Sequence, residues 1–553
     1  MTAPTSTPTV TISILVMEDT ARLRKCLQSI ARATLPGQTE ILVTGNGTAA
    51  SALDALQQDF PEVRILRSAV NRGFAGGHMG ALAASSGEFF LFLNDDVTVA
   101  PDWLAVLAKT LRATPDAAAV GSRLTFPDGR IQEAGMSIWQ DGTTIPIGRG
   151  LPATSLTYDY CRDVDYCSAC SLLVRRSALL AVGGMSDAYY PAYYEDADLA
   201  LRFRMHGYRI LYEPRSVVIH EESKSTPSTK RHLLLERNRE LFCRIWKDEL
   251  HAYDPPPSRP ESSPLADALM HAIWRAQGYP PRVCITAGIL PDAGGTSAEA
   301  HLDALLENLS RTSAITLALP EQFMRSIACE TGRGMALRRS CQDRGIQLLA
   351  GSLSRHLSHP AVTYDFIIAG TSSLLEEGWK CIRGGESVTR AILDLRLHDG
   401  NQDIPEDLTV PLAGLVLQAG KPVTALPRGL EHAVSAVEAD AWYGKILERD
   451  TDSSTATSRP MAPAPFPSDA EARARVLPAQ PSNLEVRMRE MELYSDLLER
   501  SYSHATAQLG RRSFQTMPVL LKVPGLRSAY HAVQRARGVR KDPPFLEWED
   551  LEQ

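Results

Sequence analysis

The segment from Asn71 to Trp103, NRGFAGGHMGALAASSGEFFLFLNDDVTVAPDW, constrains the fold more than any other part of the chain. It reads as a glycine-rich loop, a helix of small residues, and an apolar strand from Glu88 to Leu93 that stops abruptly on Asn94-Asp95-Asp96. In an open α/β sheet, ligands bind beyond the carboxyl ends of strands. Two carboxylates at that place are positioned to hold a divalent cation. Mg²⁺ or Mn²⁺ takes a few carboxylate oxygens and fills its remaining positions with water and substrate phosphates. The same triplet also suits a plain turn, because Asn and Asp bond their own backbone.

A second acidic cluster, Tyr193-Tyr194-Glu195-Asp196-Ala197-Asp198, opens a short helix that Gly207 closes. Two aromatic side chains ahead of Glu195 and Asp196 predict a partly dry pocket. Such a setting raises a carboxylate's pKa and makes it a stronger base. Acidic residues also favour a helix N-terminus for electrostatic reasons, and a helix start at a cleft satisfies both readings. Tyr208 to Tyr212 is expected to be a strand broken by Pro214, and Ser216 to Ile219 a second short strand delivering His220.

NRGFAGG, LFLNDD, LTFPDGRIQEAG (Leu124 to Gly135), VDYCSACSLLVRRSAL and YYEDADLALRFRMHGYRILYEPRSVVIHEE follow one another in the order seen in family 2 glycosyltransferases. Over residues 8–250 the chain resembles the bacterial rhamnosyl- and galactofuranosyl-transferase-type members that build surface polysaccharides. The resemblance implies a GT-A fold: one nucleotide-sugar-binding α/β domain, a Mn²⁺ or Mg²⁺ ion on an Asp-x-Asp-type motif, and an inverting single displacement. It further implies that Asn46, Asn71, Gly73, Gly76 and Asn94 belong to the donor site, with Asn46 at a base edge and Asp95 near the ribose. On the same footing Asp96 is the metal ligand, His220 a second metal contact, and Asp196 the general base, with Glu195 next in line.

The resemblance is imperfect at the first two strand ends. Thr9 to Val16 ends in Met17-Glu18-Asp19, where the family has a Thr/Tyr/Asn-type turn against the nucleobase, and Glu40 to Thr44 ends in Gly45-Asn46-Gly47-Thr48, where a leading Asp is common. Two readings follow. One is an active glycosyltransferase acting on a glycan or lipid-linked acceptor. The other is a glycosyltransferase-fold scaffold without turnover, motivated by Met17, Glu18 and Gly45. The joint presence of Asp95, Asp96, Asp196 and His220 favours the first.

With 553 residues the chain suggests two to four domains, and a net charge of -7 offers no basic footprint for nucleic acid. The start, MTAPTSTPTV, lacks the basic and apolar regions of a secretion signal, and no stretch approaches a transmembrane span. The nine cysteines are scattered, as suits reduced thiols in a cytoplasmic protein. Cys167 and Cys170 have the spacing of a metal pair, but a single pair is weak evidence, and small residues lining the acceptor side of a cleft is the plainer reading.

Residues 251–279 read as a Pro-rich linker, and residues 280–430 as a smaller Rossmann-like α/β domain similar to half of a GT-B enzyme. In it Gly294-Gly295 precedes the helix Ser297–Leu309, a weak signal for a phosphate cradle. Residues 450–482 carry a linker composition, and residues 483–541 a helical, basic tail. The helix from Asn483 to Leu509 suits a homo-oligomeric contact or packing on a neighbour. The basic residues from Arg511 to Lys541 suit either peripheral association with the inner face of the plasma membrane or a solvated basic face on a docking helix.

Overall fold

The computed structural model describes residues 9–17, 20–221, 228–257, 263–319, 332–349 and 364–371, with residues 323, 374, 390–394, 397, 412–416, 433–434, 489, 493 and 496. The fold is mixed α/β. In chain order the first unit comprises β1 (Val10–Val16), α1 (Thr20–Ala31), β2 (Thr39–Asn46), α2 (Ala50–Asp59), β3 (Arg64–Ser68), α3 (Gly73–Ala84), β4 (Phe89–Leu93) and β5 (Val97–Val99). It continues through α4 (Trp103–Ala113), β6 (Ala117–Thr125), β7 (Ile131–Glu133), β8 (Met136–Ile138), β9 (Thr144–Pro146), β10 (Arg162–Asp163) and β11 (Ser171–Arg175). The helices α5 (Arg176–Ala181) and α6 (Glu195–Met205), β12 (Arg209–His220) and α7 (Ser228–Ile245) complete it.

Ten of these strands form one sheet in the order β10-β12-β6-β11-β4-β1-β2-β3, with β5 on β12 and β7 on β6, while β8 and β9 pair as a separate antiparallel hairpin. β4, β6 and β12 run the same way, because β11 is antiparallel to β4 and β6 while β12 is parallel to β6. Every residue of β4 is buried because helices cover both faces of the sheet. Phe90 and Phe92 enter one core with Met79 and Leu82 of α3; Phe89, Leu91 and Leu93 enter the other with α1 and α4.

Two sequence expectations change. The glycine-rich stretch is not a loop before a helix: α3 begins at Gly73 itself. β12 is not interrupted at Pro214 but runs to His220, with a register irregularity between Glu213 and Val217 that absorbs the residue lacking an N–H.

The helix α8 (Ser263–Ala276) leads to a second sheet, formed by β13 (Arg282–Thr286), β14 (Ala314–Ala318), β15 (Gln347–Leu348), β16 (Phe366–Ala369), β17 (Arg390–Asp394), β18 (Leu412–Val416) and β19 (Ala433–Val434). Its order is β15-β14-β13-β16-β17-β18-β19, and every pairing is parallel. The helices α9 (Ser297–Leu309) and α10 (Gly332–Arg344) belong to this unit. The Gly294-Gly295 turn holds a carboxylate of its own: Glu299 closes a capping box with Thr296, and a Cβ on Gly295 would meet its Oε2 at 2.3 Å. That acidic occupant opposes a phosphate there. The two units meet at the buried Asp159, which accepts hydrogen bonds from Arg123, Arg338 (2.5 Å) and Gln342 (2.9 Å). The expected linker at 450–482 and basic tail at 511–541 lie outside the described residues.

Candidate functional site

The carboxyl ends of β4 and β12 share one edge of the sheet, and β5 ties them together. It folds back from Asp96 and pairs antiparallel with β12, setting His220 opposite Val97. His220 Nε2 therefore lies 3.2 Å from Asp96 Oδ1, although the two are far apart in sequence. Asn94 Nδ2 is 3.4 Å from the same ring nitrogen, and His220 Nδ1 faces Gln132 Oε1 on β7 at 2.9 Å. Burial opposes charge on His220, but Cys170 and Asp96 beside it outweigh burial and push its pKa up to about 11.

Glu195 and Asp196 start α6, reached through Tyr193 and Tyr194, both in left-handed backbone conformation (φ 80° and 76°). Non-glycine residues adopt that conformation only where the surroundings impose it. Here the imposing group is Asn238 of α7, fully buried, whose Nδ2 donates to the carbonyls of Tyr189 (3.0 Å), Ala192 (2.9 Å) and Tyr193 (2.9 Å).

The two carboxyls differ. Glu195 is buried, its Oε2 has no hydrogen-bond partner among the described residues, and burial together with the neighbouring Asp196 lifts its pKa well above the carboxylate range. Burial also raises Asp196, but backbone N–H groups of Ala197 (2.9 Å) and Ala169 (3.3 Å) donate to it and favour its charged form. Of the two, only Asp196 has backbone donors from Ala197 and Ala169 favouring its charged form.

The Ser168-Ala169-Cys170 turn joins the site's parts through its backbone. Ser168 N donates to Glu133 (2.9 Å), Ala169 N to Asp196, and the Cys170 carbonyl accepts from Asn94 N (3.0 Å). Cys167 and Cys170 are free and buried. The turn thus spaces Asp196 from the acidic end of β4 as well as lining the cleft. Sequence reading missed Gln132, Glu133 and Asn238. Glu133 is buried, and its pKa is pushed up to about 8 by burial first, with Asp196 adding to it.

Asn46 and Asn71 organise the entry to α3. Asn46 Nδ2 donates to Asn71 Oδ1 (3.0 Å) and the Gly73 carbonyl (3.1 Å), and its Oδ1 accepts from Arg72 N (2.7 Å). Both amide hydrogens are engaged within the protein, so Asn46 also holds the loop. Gly73 has φ +72°, and a Cβ there would meet Tyr190 at 2.7 Å. Gly76 packs inside α3 near Arg72 and is absent from the cleft wall. Gly45 packs against Leu53, where a Cβ would meet a methyl at 2.4 Å.

Asn46, Asn71, Gly73, Asn94, Asp95, Asp96, Glu195, Asp196 and His220 line a single cleft of roughly 1130 Å³, with Met17 at its rim. That volume exceeds a typical small-molecule pocket and leaves room for two substrates.

The site is thus a cleft beyond the carboxyl ends of a mixed sheet, with an Asp–His pair and a carboxylate at a strained helix start. Residues 12–182 match the family described as "Glycosyl transferase family 2". Over 257 residues the chain is 32% identical to the uncharacterized protein y4gI of Sinorhizobium fredii, covering 44% of this chain and 28% of that protein. It is 29% identical to an N-acetylglucosaminyl-diphospho-decaprenol L-rhamnosyltransferase of Mycobacterium tuberculosis, over 37% of this chain and 73% of that protein. It is also 29% identical to the O-antigen biosynthesis protein RfbC of Myxococcus xanthus, over 40% of this chain and 18% of that protein. The chain thus spans little more than a quarter of the first of these relatives.

Proposed function

We propose that this protein is an inverting, metal-dependent glycosyltransferase of GT-A type that moves a sugar from a nucleotide-sugar donor to a hydroxyl of a glycan or lipid-linked acceptor in surface polysaccharide synthesis. The observation that carries the reading is the convergence in one cleft of Asp95, Asp96 and His220 with Asp196. Asp96 supplies one carboxylate and His220, once a cation displaces its proton, one imidazole, and no larger His/Cys/Asp/Glu cluster exists among the described residues. This donor set fits Mn²⁺ or Mg²⁺, which draw their other ligands from phosphate and water. When bound, the cation neutralises charge on the departing diphosphate. Asp196 accepts the proton of the attacking acceptor hydroxyl. Burial pushes the adjoining Glu195 towards its neutral form, which spares Asp196 a second negative charge. Asn46, Asn71 and Gly73 hold the wall against which the donor rests.

Among the described residues no helix is long and apolar enough to cross a membrane. Residence in the cytoplasm and at the inner membrane face belongs to the proposal, as do domain limits at 8–250 and 280–430. The deciding experiment is thermal stabilisation by UDP-, GDP- and dTDP-sugars with and without Mn²⁺, followed by transfer or hydrolysis of whichever donor binds. Mn²⁺-dependent binding that Asp96→Ala abolishes is expected. Donor binding indifferent to both Mn²⁺ and Asp96 would sink the metal assignment, and binding without turnover would sink the enzyme reading.

A further inference from the structure

Residues Arg489, Leu493 and Asp496 are helical and lie at the spacing of one helix face. All three engage the rim of the cleft. Arg489 pairs with Asp187, Asp496 Oδ2 lies 3.2 Å from Arg237 Nε, and Leu493, 5% exposed, packs in a small core with Leu233 and Leu234 of α7. Tyr190 and Tyr193 pack against that core, and Leu493 itself lines the cleft. Arg237 in turn donates to the Tyr190 carbonyl at 3.1 Å. Every one of these contacts falls on α7 or on the Asp187–Tyr193 loop that leads into Glu195 and Asp196.

We propose that the Arg489–Leu493–Asp496 face is a strap, supplied by the same chain, that completes the cleft wall and clamps the loop positioning Glu195 and Asp196. The complementarity is specific: a cation meets Asp187, an anion meets Arg237, and the apolar residue between them covers leucines and tyrosines. The physical need for a clamp is visible in the loop. Tyr193 and Tyr194 hold left-handed backbone that costs free energy, and Asn238 secures only its carbonyls. Burial of Leu493 against Tyr190 and Tyr193 adds an apolar hold on their side chains, beside the hydroxyl bonds that Tyr190 and Tyr194 make to the Asn71 and Gly142 carbonyls. The catalytic arrangement of the N-terminal unit then depends on a segment nearly three hundred residues away in sequence. Leu493 also becomes a cleft-wall residue, placed to influence which acceptors enter. That last consequence rests on the transferase reading; the clamp itself does not.

Hydrogen exchange of the 187–198 segment in the full-length protein tests the clamp without any substrate. In Leu493→Asp, exchange there is expected to quicken about 5- to 30-fold, the factor equivalent to losing one or two kcal/mol of local stability. The β1–β4 peptides should exchange as in the wild type, which separates loss of the strap from loss of the fold. Arg489→Asp sets two carboxylates together and should quicken exchange at 187–198 more mildly, and Asp187→Arg in the same chain should restore it. Wild-type exchange in Leu493→Asp, or failure of the charge reversal to restore protection, overturns the proposal. Protection that grows with protein concentration overturns it as well, by placing the helix on a second copy of the chain.

Discussion

Gln132 Oε1 lies 2.9 Å from His220 Nδ1 and accepts the hydrogen carried there, which leaves Nε2 as the ring nitrogen aimed at Asp96. A ligand histidine needs its far nitrogen fixed in this way for ring orientation and basicity. Gln132→Leu is expected to weaken Mn²⁺ binding about 10- to 100-fold, the range found when such supporting partners are removed. Gln132→Glu keeps an acceptor at that place and should retain most of the affinity. Titration calorimetry with Mn²⁺ separates the two variants, and equal, wild-type affinity in both would remove Gln132 from the metal site.

Asp196 and Glu195 adjoin in sequence, yet their surroundings assign them different protonation. Asp196→Asn should preserve donor and metal binding and lower turnover by about 10²- to 10⁴-fold, the usual contribution of a positioned base. Glu195→Gln replaces the carboxyl that burial pushes towards its neutral form, so its effect on turnover should be much smaller. Steady-state kinetics of the pair decides the matter. If Glu195→Gln is the more damaging change, the base is Glu195.

Much of this site is legible in the sequence because chain punctuation marks it. The run Phe89–Leu93 ends on three polar residues, and its burial on both faces follows from having no polar position. Glu195 and Asp196 announce a helix start by their charge, and α6 begins there. What is not legible depends on contacts remote in sequence. Gln132 and Glu133 sit on a strand of three residues, too short to show a period. Asn238 is one polar position among many in α7, and its partners are about 45 residues upstream. Nothing in the strand that carries Asn46 reveals that its amide also donates to Asn71 and Gly73. Pro214 reads as a break because the bulge that accommodates it is a property of the β6–β12 pairing.

Glu133 gives the protein a pH signature. Its pKa is near 8 in the fold against a carboxylate value of 4.5 when unfolded, so between those values the native state holds a proton that the unfolded chain has released. Stability from this group is fully present below the lower value and is lost as pH rises through the upper one, with a slope of about 1.4 kcal/mol per pH unit at most. Glu133→Gln keeps an oxygen for Ser168 N and cannot ionise. The variant and the wild type should therefore melt alike near pH 4, with the variant increasingly the more stable towards pH 8. Parallel melting curves across that interval would show that Glu133 ionises normally.

Asn238 is the sharpest test of how the catalytic loop is held. Its Nδ2 serves the carbonyls of Tyr189, Ala192 and Tyr193 from a fully buried position, so Asn238→Ala leaves those acceptors without their donor. Each buried acceptor left unsatisfied costs about 1–3 kcal/mol unless water enters. Asn238→Asp is the more informative change. It preserves volume, but turning Nδ2 into an oxygen points a carboxylate at three carbonyls, a clash that either protonates the new side chain or opens the loop. Both variants should destabilise the fold and release the left-handed backbone at Tyr193 and Tyr194, with turnover falling further than donor affinity, because Asp95, Asp96 and His220 are built on other elements. Calorimetric unfolding and donor titration of the two variants check this together. An Asn238→Asp protein with wild-type stability and turnover would mean that the loop keeps its conformation without α7.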